Sequence, residues 1–163
     1  MSAVRDVKVR EARLPGDRPV LEKFVHALNL YEHAIEPDRR TDPEVGPEFL
    51  DAILKRVAEN EGRIFVAERD GVIVGWIVAI VEEQMTFIRE DERRIGYVSE
   101  LFVEARERGG GIGRALIEKV QGDLRSRGLR RLGITALAGN NGAREAYIAW
   151  GFRLRAIDLY KDL

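Results

Sequence analysis

The chain has no cysteine among its 163 residues, which excludes a disulfide framework, a thiolate nucleophile and any cysteine-ligated metal. Histidine is nearly as scarce. His26 and His33 stand seven apart, which puts them on one helical face beside Glu32 and Glu36; this suits a surface or pocket edge better than a metal, and no metal is expected. No Ser-His-Asp arrangement is suggested. Long apolar runs are missing too: the longest, Val72 to Val81, has the length of a strand and falls far short of the ~20 residues of a membrane span. Met1 to Arg10 carries Arg5, Asp6, Lys8 and Arg10 where a secretory leader needs an apolar stretch, so a cytoplasmic location away from membranes is expected. There is no excess charge of either sign. The net charge of −1 argues against a general nucleic-acid binder, and the arginine run from Arg106 to Arg131 lacks the interleaved aromatics that such binding uses. Repeats and low-complexity tracts are absent as well, which leaves a single domain over residues 1–163.

What charge there is lies unevenly. Residues 1–104 hold 15 Lys and Arg against 22 Asp and Glu, or −7, while residues 105–163 hold 12 against 6, or +6. Either this is chance on a solvated surface or the two halves face ligands of opposite sign.

Apolar spacing orders the elements. Val7 and Val9 alternate with polar residues as a first strand, ended by Pro15-Gly16. Asp17 as cap and Pro19 in the first turn then open a helix along Leu21, Phe24, Val25, Leu28 and Tyr31. Glu36 to Pro47, with three prolines among charges, reads as a loop, and a second helix follows through Phe49, Leu50, Ile53, Leu54 and Val57. Arg63–Glu68 and Val72–Val81 form a hairpin about Asp70-Gly71, a pair that accepts positive φ. Ile95–Val103 is a fourth strand. Ile112, Leu116, Ile117, Val120 and Leu124 mark a helix closed by Gly128; Leu132–Leu137 is a strand, Ala143–Trp150 a short helix and Phe152–Tyr160 a closing strand. The order β-α-α-β-β-β-α-β-α-β predicts an α+β domain, one sheet with helices on both faces.

The sharpest local feature is Arg108-Gly109-Gly110-Gly111-Ile112-Gly113-Arg114 between a strand and a helix. Glycines let the backbone approach a ligand closely, and the first N–H groups of a helix lack internal partners, so such a turn attracts phosphate. A Walker loop would need Gly-Lys-Ser/Thr, and Gly113 is followed by Arg114 and Ala115; a dinucleotide fingerprint would need a small residue where Arg114 stands. The plainer alternative, a flexible linker, fits poorly with the well-formed helix that follows.

The spacing does match Arg/Gln-x-x-Gly-x-Gly/Ala at Arg108, Gly111 and Gly113, and Asn140, Ala143, Tyr147, Gly151 and Phe152 fit Asn-x-x-Ala-x-x-x-Tyr-x-x-x-Gly-Phe. In both patterns the chain resembles the GNAT superfamily of acetyl-CoA-dependent N-acetyltransferases, and the element order agrees over nearly the whole length; Met1 to Asn60 carries no subfamily motif. The resemblance implies a mixed, mostly antiparallel twisted sheet whose fourth and fifth strands splay apart, with acetyl-CoA as cosubstrate and an amine as acceptor. Leu101, Phe102 and Val103 would run along the pantetheine arm, and the main chain of Arg108, Gly109, Gly110, Gly111, Ile112, Gly113 and Arg114 would wrap the pyrophosphate. Asn140 would touch the arm, and Tyr147 would point its hydroxyl at the thioester sulfur. Dimers are frequent in the superfamily, so the resemblance is compatible with a homodimer.

Acetyl transfer needs a neutral amine, a polarised carbonyl and a stabilised leaving thiolate. Glu100, where several superfamily members carry an acid, is the first candidate for the base; with an ordinary pKa near 4.3 it would need a water chain or a raised pKa. Its plainer reading is a solvated or salt-bridged strand carboxylate. Glu82 and Glu83, at the end of the third strand, are weaker alternatives. The backbone N–H of Phe102 is the resemblance's candidate for the oxyanion. Tyr147, protonated at neutral pH, is the candidate acid, with packing on an amphipathic helix as its plainer role. The expected activity is direct transfer in a ternary complex, the alternative being a non-catalytic acyl-CoA sensor on the same fold.

Overall fold

The computed structural model describes residues 6–163. Residues 1–5, with the Arg5 of the charged opening stretch, lie outside the described residues. Five strands, β1 (Val7–Glu11), β2 (Arg63–Arg69), β3 (Val72–Glu83), β4 (Arg94–Val103) and β5 (Leu132–Ile134), form one sheet in the order β1-β2-β3-β4-β5. Every neighbouring pair is antiparallel except β4 and β5, which run parallel. The helices are α1 (Arg18–His33), α2 (Val45–Glu59), α3 (Ile112–Ser126) and α4 (Asn141–Ala149). This is the expected α+β architecture.

β2 and β3 read as nearly unbroken apolar runs because both faces of the sheet are covered. On one face Phe65, Ala67, Ile77 and Ala79 meet Leu116, Ile117, Val120 and Leu124 of α3. On the other, Ile64, Val66, Trp76 and Val78 meet Leu21, Phe24 and Val25 of α1 and Leu50 and Ile53 of α2. The hairpin between them turns at Asp70 and Gly71 with φ of +52° and +76°, as the Asp-Gly pair predicts. Among the described residues no helix is long and apolar enough to cross a membrane, and none of their acids and histidines gather into a cluster of three or more able to hold a metal.

Four expectations need correction. Asp17 does not cap α1 with its side chain; its oxygens accept from the Arg13 N–H at 2.7 Å and from the Arg10 guanidinium at 2.8 and 3.1 Å, a pairing that outcompetes the cap and holds the carboxyl below its ordinary range. α2 starts at Val45, inside the expected loop, because Pro47 falls in the first turn where its missing N–H leaves no bond unmade. A Cβ on Gly46 would lie 2.7 Å from the Glu22 carbonyl oxygen, so glycine is what lets α2 begin against α1. β5 stops at Ile134 instead of Leu137. Residues 152–163 form no strand, and Leu154, Ile157, Leu159 and Tyr160 stand exposed.

Candidate active site

The parallel pairing of β4 and β5 covers only Gly96–Val98 against Leu132–Ile134. Beyond it the strands part, and a cavity of about 640 Å³ occupies the split. The same region of β4 carries a bulge: Val78 pairs with Glu100 but Ala79 with Val98, which leaves Ser99 as the extra residue. A bulge reverses the alternation of side chains. Val98 therefore packs towards α3, while Glu100 and Phe102 face α1 and α2, and this is how a carboxylate comes to stand under the helical layer. Glu100, Tyr147 and Asn140 all line the cavity, with Leu101 and Ala143.

Glu100 is 8% exposed. Burial pushes its pKa up to about 8, the negative charge of Glu32 adds to the rise, and Arg56 opposes it. The Tyr147 hydroxyl is pushed up to about 12, again by burial first and then by Glu32. Hydrogen bonding contributes to neither shift. The raised acid and the retained phenol have the protonation behaviour of a general base working near neutral pH and of a donor that never ionises in the physiological range. Tyr147 also packs, with ring centroids 5.8 Å from Trp150 and 6.0 Å from Phe152, so its ring belongs to the core edge and its hydroxyl to the cavity wall.

The glycine turn is built as a cradle. Gly109 and Gly111 hold φ of +78° and +83°, and a Cβ at either would meet nothing within 4 Å. No side chain caps α3, and among the described residues the N–H groups from Gly109 to Arg114 have no hydrogen-bond partner. An open run of unpaired donors at positive-φ glycines, on the positive end of a helix, fits a pyrophosphate. The other members of the turn have different tasks. Ile112 is a core side chain, 1% exposed, and Arg114 pairs with Glu118 at 2.9 Å. Gly113 is required by packing, since a Cβ there would sit 2.8 Å from the Trp150 indole. Arg108 turns inward: its Nε donates to the Val103 carbonyl at 2.9 Å, and its guanidinium lies 5.2 Å from the Tyr31 ring centroid and 5.8 Å from that of Phe102. It braces the turn against α1.

Phe102 itself is core, 5.0 Å from Phe24 between ring centroids. Glu104 N–H donates to the Val74 carbonyl at 2.9 Å, and polar groups alternate sides along a strand, so Phe102 directs its N–H into the β3 ladder while Leu101 and Val103 turn theirs to the β5 side. Of the three residues expected along the arm, Leu101 and Val103 present backbone to the split. Asn140 caps α4, its Oδ1 accepting from the Ala143 N–H at 3.2 Å and from the Tyr31 hydroxyl at 3.4 Å. Both bonds use the oxygen.

The sequence reading missed the part of the cavity lining contributed by α1, α2 and the loop between them: Leu28, Glu32, Arg39, Arg40, Glu48 and Phe49. A signal for one of them was present. Phe24, Leu28 and Glu32 continue one helical stripe, and a carboxylate where the stripe should bring another apolar residue marks a polar cavity. Both arginines are already neutralised, Arg39 by Glu32 at 3.1 Å and by Asp38, Arg40 by Glu48 at 2.5 Å and Asp42 at 2.6 Å. His26 and His33 donate to the carbonyls of Thr41 and Arg39 at 2.9 and 2.8 Å, tying this loop to α1 and staying outside the cavity lining. Glu82 pairs with Arg56 at 3.0 Å, also outside that lining. Along the basic run, Arg127 meets Asp123 at 3.1 Å and Arg131 meets Glu92 at 2.6 Å.

Comparison with known proteins agrees with this geometry. The model of the acetyltransferase (GNAT) family matches residues 26–152. Mycothiol acetyltransferase of Thermobispora bispora is 32% identical over 120 residues, which is 72% of this chain and 40% of that protein. The chain spans less than half the length of the curated relatives it matches. Among solved structures, a tetramutant of the BH1408 protein of Bacillus halodurans superimposes with a TM-score of 0.83 at 20% identity, covering 96% of this chain and 99% of that one. A predicted acetyltransferase of Clostridium acetobutylicum, solved with acetyl-CoA, gives 0.70 at 19% identity and 96% of both chains.

Proposed function

The chain belongs to the acetyltransferase (GNAT) family, and from that premise we propose that it transfers the acetyl group of acetyl-CoA directly to a primary amine that is cationic in solution. The observation that carries this reading is the presence of both Glu100 and Tyr147 in the lining of one cavity, at the split between β4 and β5. Acetyl-CoA would be held by the N–H groups from Gly109 to Arg114, by the backbone of Leu101 and by the N–H of Val103, whose carbonyl is taken by Arg108, and it would supply an activated acyl carbon. Glu100 takes a proton from the acceptor ammonium, directly or through water. The amine nitrogen then bonds to the acyl carbon, the carbon–sulfur bond breaks with its electron pair leaving on sulfur, and the second proton of the nitrogen, acidified by the new bond, passes to that sulfur to give the free thiol and the neutral amide. Leu101 N–H is the donor for the acyl oxygen, in place of Phe102. Tyr147 offers its hydroxyl proton to the sulfur; a phenol near 12 makes this a hydrogen bond more than a completed transfer.

A cationic acceptor is favoured by the rest of the cavity lining, where Glu32, Asp38 and Glu48 outnumber Arg39 and Arg40. The test is a panel of cationic, neutral and acidic amines with acetyl-CoA, scored by release of free thiol. The absence of cysteine keeps the protein from contributing to that signal. Release with cationic amines is the expected result; acetyl-CoA binding with no release across the panel would support the sensor instead.

A further inference from the structure

Two connections tie the glycine turn to the far end of the β2–β3 hairpin. Phe65, Ala67 and Arg69 alternate along β2 on the face that α3 covers, so the strand that lays two core residues under α3 ends with an arginine at the turn that opens this helix. The Glu104 N–H donates to the carbonyl of Val74 at 2.9 Å, the residue left over where the β2–β3 register shifts. The Arg69 guanidinium pairs with the Glu107 carboxylate, and their side chains are only 19% and 16% exposed. A Cβ at Gly110 would lie 3.5 Å from the Arg69 Nη2, which puts the ion pair against the glycines themselves. The Arg69 Nε is buried with no partner among the described residues. A guanidinium with an unmet N–H is costly to bury, so packing alone would favour an apolar side chain here, and the reason for arginine lies in the pair it makes.

We propose that Arg69 is a positioning residue for the acetyl-CoA cradle: through Glu107 it holds the turn in the shape that presents the N–H groups of Gly109 to Arg114 to a pyrophosphate. This role presupposes the acetyl-CoA reading above. Three successive glycines lose more freedom on ordering than any other residues would, and a turn left for its ligand to order would bind that ligand more weakly. Glu107 and Arg108 immediately precede the glycines, and each is anchored to a different part of the fold. Arg69 holds Glu107 from β2, while Arg108 is held from β4 by the Val103 carbonyl and from α1 by the Tyr31 ring. Ile112, 1% exposed, fixes the other end of the turn in the core. The Arg69–Glu107 pair is neutral as a whole, so it acts on the phosphates through geometry and leaves the helix end as the source of the field. The hairpin thereby belongs to the cofactor site through a contact between residues thirty-eight apart in the chain.

The test is acetyl-CoA affinity by calorimetry in Arg69→Met, which keeps the apolar stem and drops the charge, and in Glu107→Gln, which lies outside the sheet and leaves Arg69 in place. Each should bind about tenfold more weakly or worse, on the scale of a hydrogen bond to a charged group. The double variant should be no weaker than either single one, because both remove the same pair, and Arg69→Lys should recover most of the affinity. In turnover, KM for acetyl-CoA should rise while kcat and the acceptor's KM hold. Backbone order parameters by NMR should fall at Gly109, Gly110 and Gly111 and stay level along α3 and β3, which separates a loosened turn from a weakened fold. Unchanged affinity in a folded variant, additive losses in the double variant, or a fall in kcat at constant KM would overturn the proposal. Should Arg69→Met fail to fold, Glu107→Gln decides the question by the same measurements. A wild type that binds no acetyl-CoA would overturn the acetyl-CoA reading as well, whereas equal binding by wild type and variants overturns the role of Arg69 alone.

Discussion

Replacing Glu100 by Gln turns its burial into a measurable pH dependence of stability. In the ligand-free protein the carboxyl is raised from an ordinary 4.5 to about 8. Between those two values the folded state keeps a proton that the unfolded chain has released, so folding is proton-linked. Stability is then highest at and below about pH 4.5, falls as pH rises, and reaches its floor above about 8. At about 1.4 kcal/mol for each unit of pH, the full span of about 3.5 units sets an upper limit of about 5 kcal/mol on the cost of burying the charge. Gln keeps the shape and carries no charge. Glu100→Gln should therefore match the wild type at pH 5 and exceed it by several kcal/mol at pH 9. The assay is urea unfolding of both proteins at pH 5, 6, 7, 8 and 9, read as the difference between them so that the other carboxylates cancel. A difference that changes by less than about 0.5 kcal/mol over this range, the scatter of a surface site, would show that the carboxylate is solvated and not raised. In turnover the same group predicts kcat/KM rising with pH through about 8 for the wild type, with that limb lost in the variant.

Gly111→Val should fold but lose at least tenfold in acetyl-CoA affinity by calorimetry, because φ of +83° strains a β-branched residue; Gly122→Ala, in open space on α3, should bind normally and gain about 0.5–1 kcal/mol. Tyr147→Phe keeps the ring against Trp150 and removes only the hydroxyl, so acetyl-CoA affinity should hold while kcat falls by about 10²-fold; wild-type kcat where chemistry limits the rate would reduce Tyr147 to a packing residue. For a cationic acceptor KM should rise with salt as the field of Glu32, Asp38 and Glu48 is screened, and indifference to salt would remove the electrostatic argument.

The sequence by itself determined the parts whose chemistry is local. Asp70-Gly71 turned where its tolerance of positive φ required. The stripe Ile112–Leu124 made α3, and glycines at 109 and 111 made an open cradle, because backbone freedom and helix periodicity are written residue by residue. Tertiary structure decided what depends on a partner far along the chain. The bulge at Ser99 is invisible in Ile95–Val103, yet it turns Glu100 under α1 and α2 and so raises its pKa. Gly113 looked like one more ligand-facing glycine until Trp150, thirty-seven residues later, was found against it. Asp17 was a fair cap by type and was taken by Arg10 across the turn. A strand exists only with a neighbour, so the apolar alternation of Leu132–Leu137 and Phe152–Tyr160 could announce strands without saying who would pair with them.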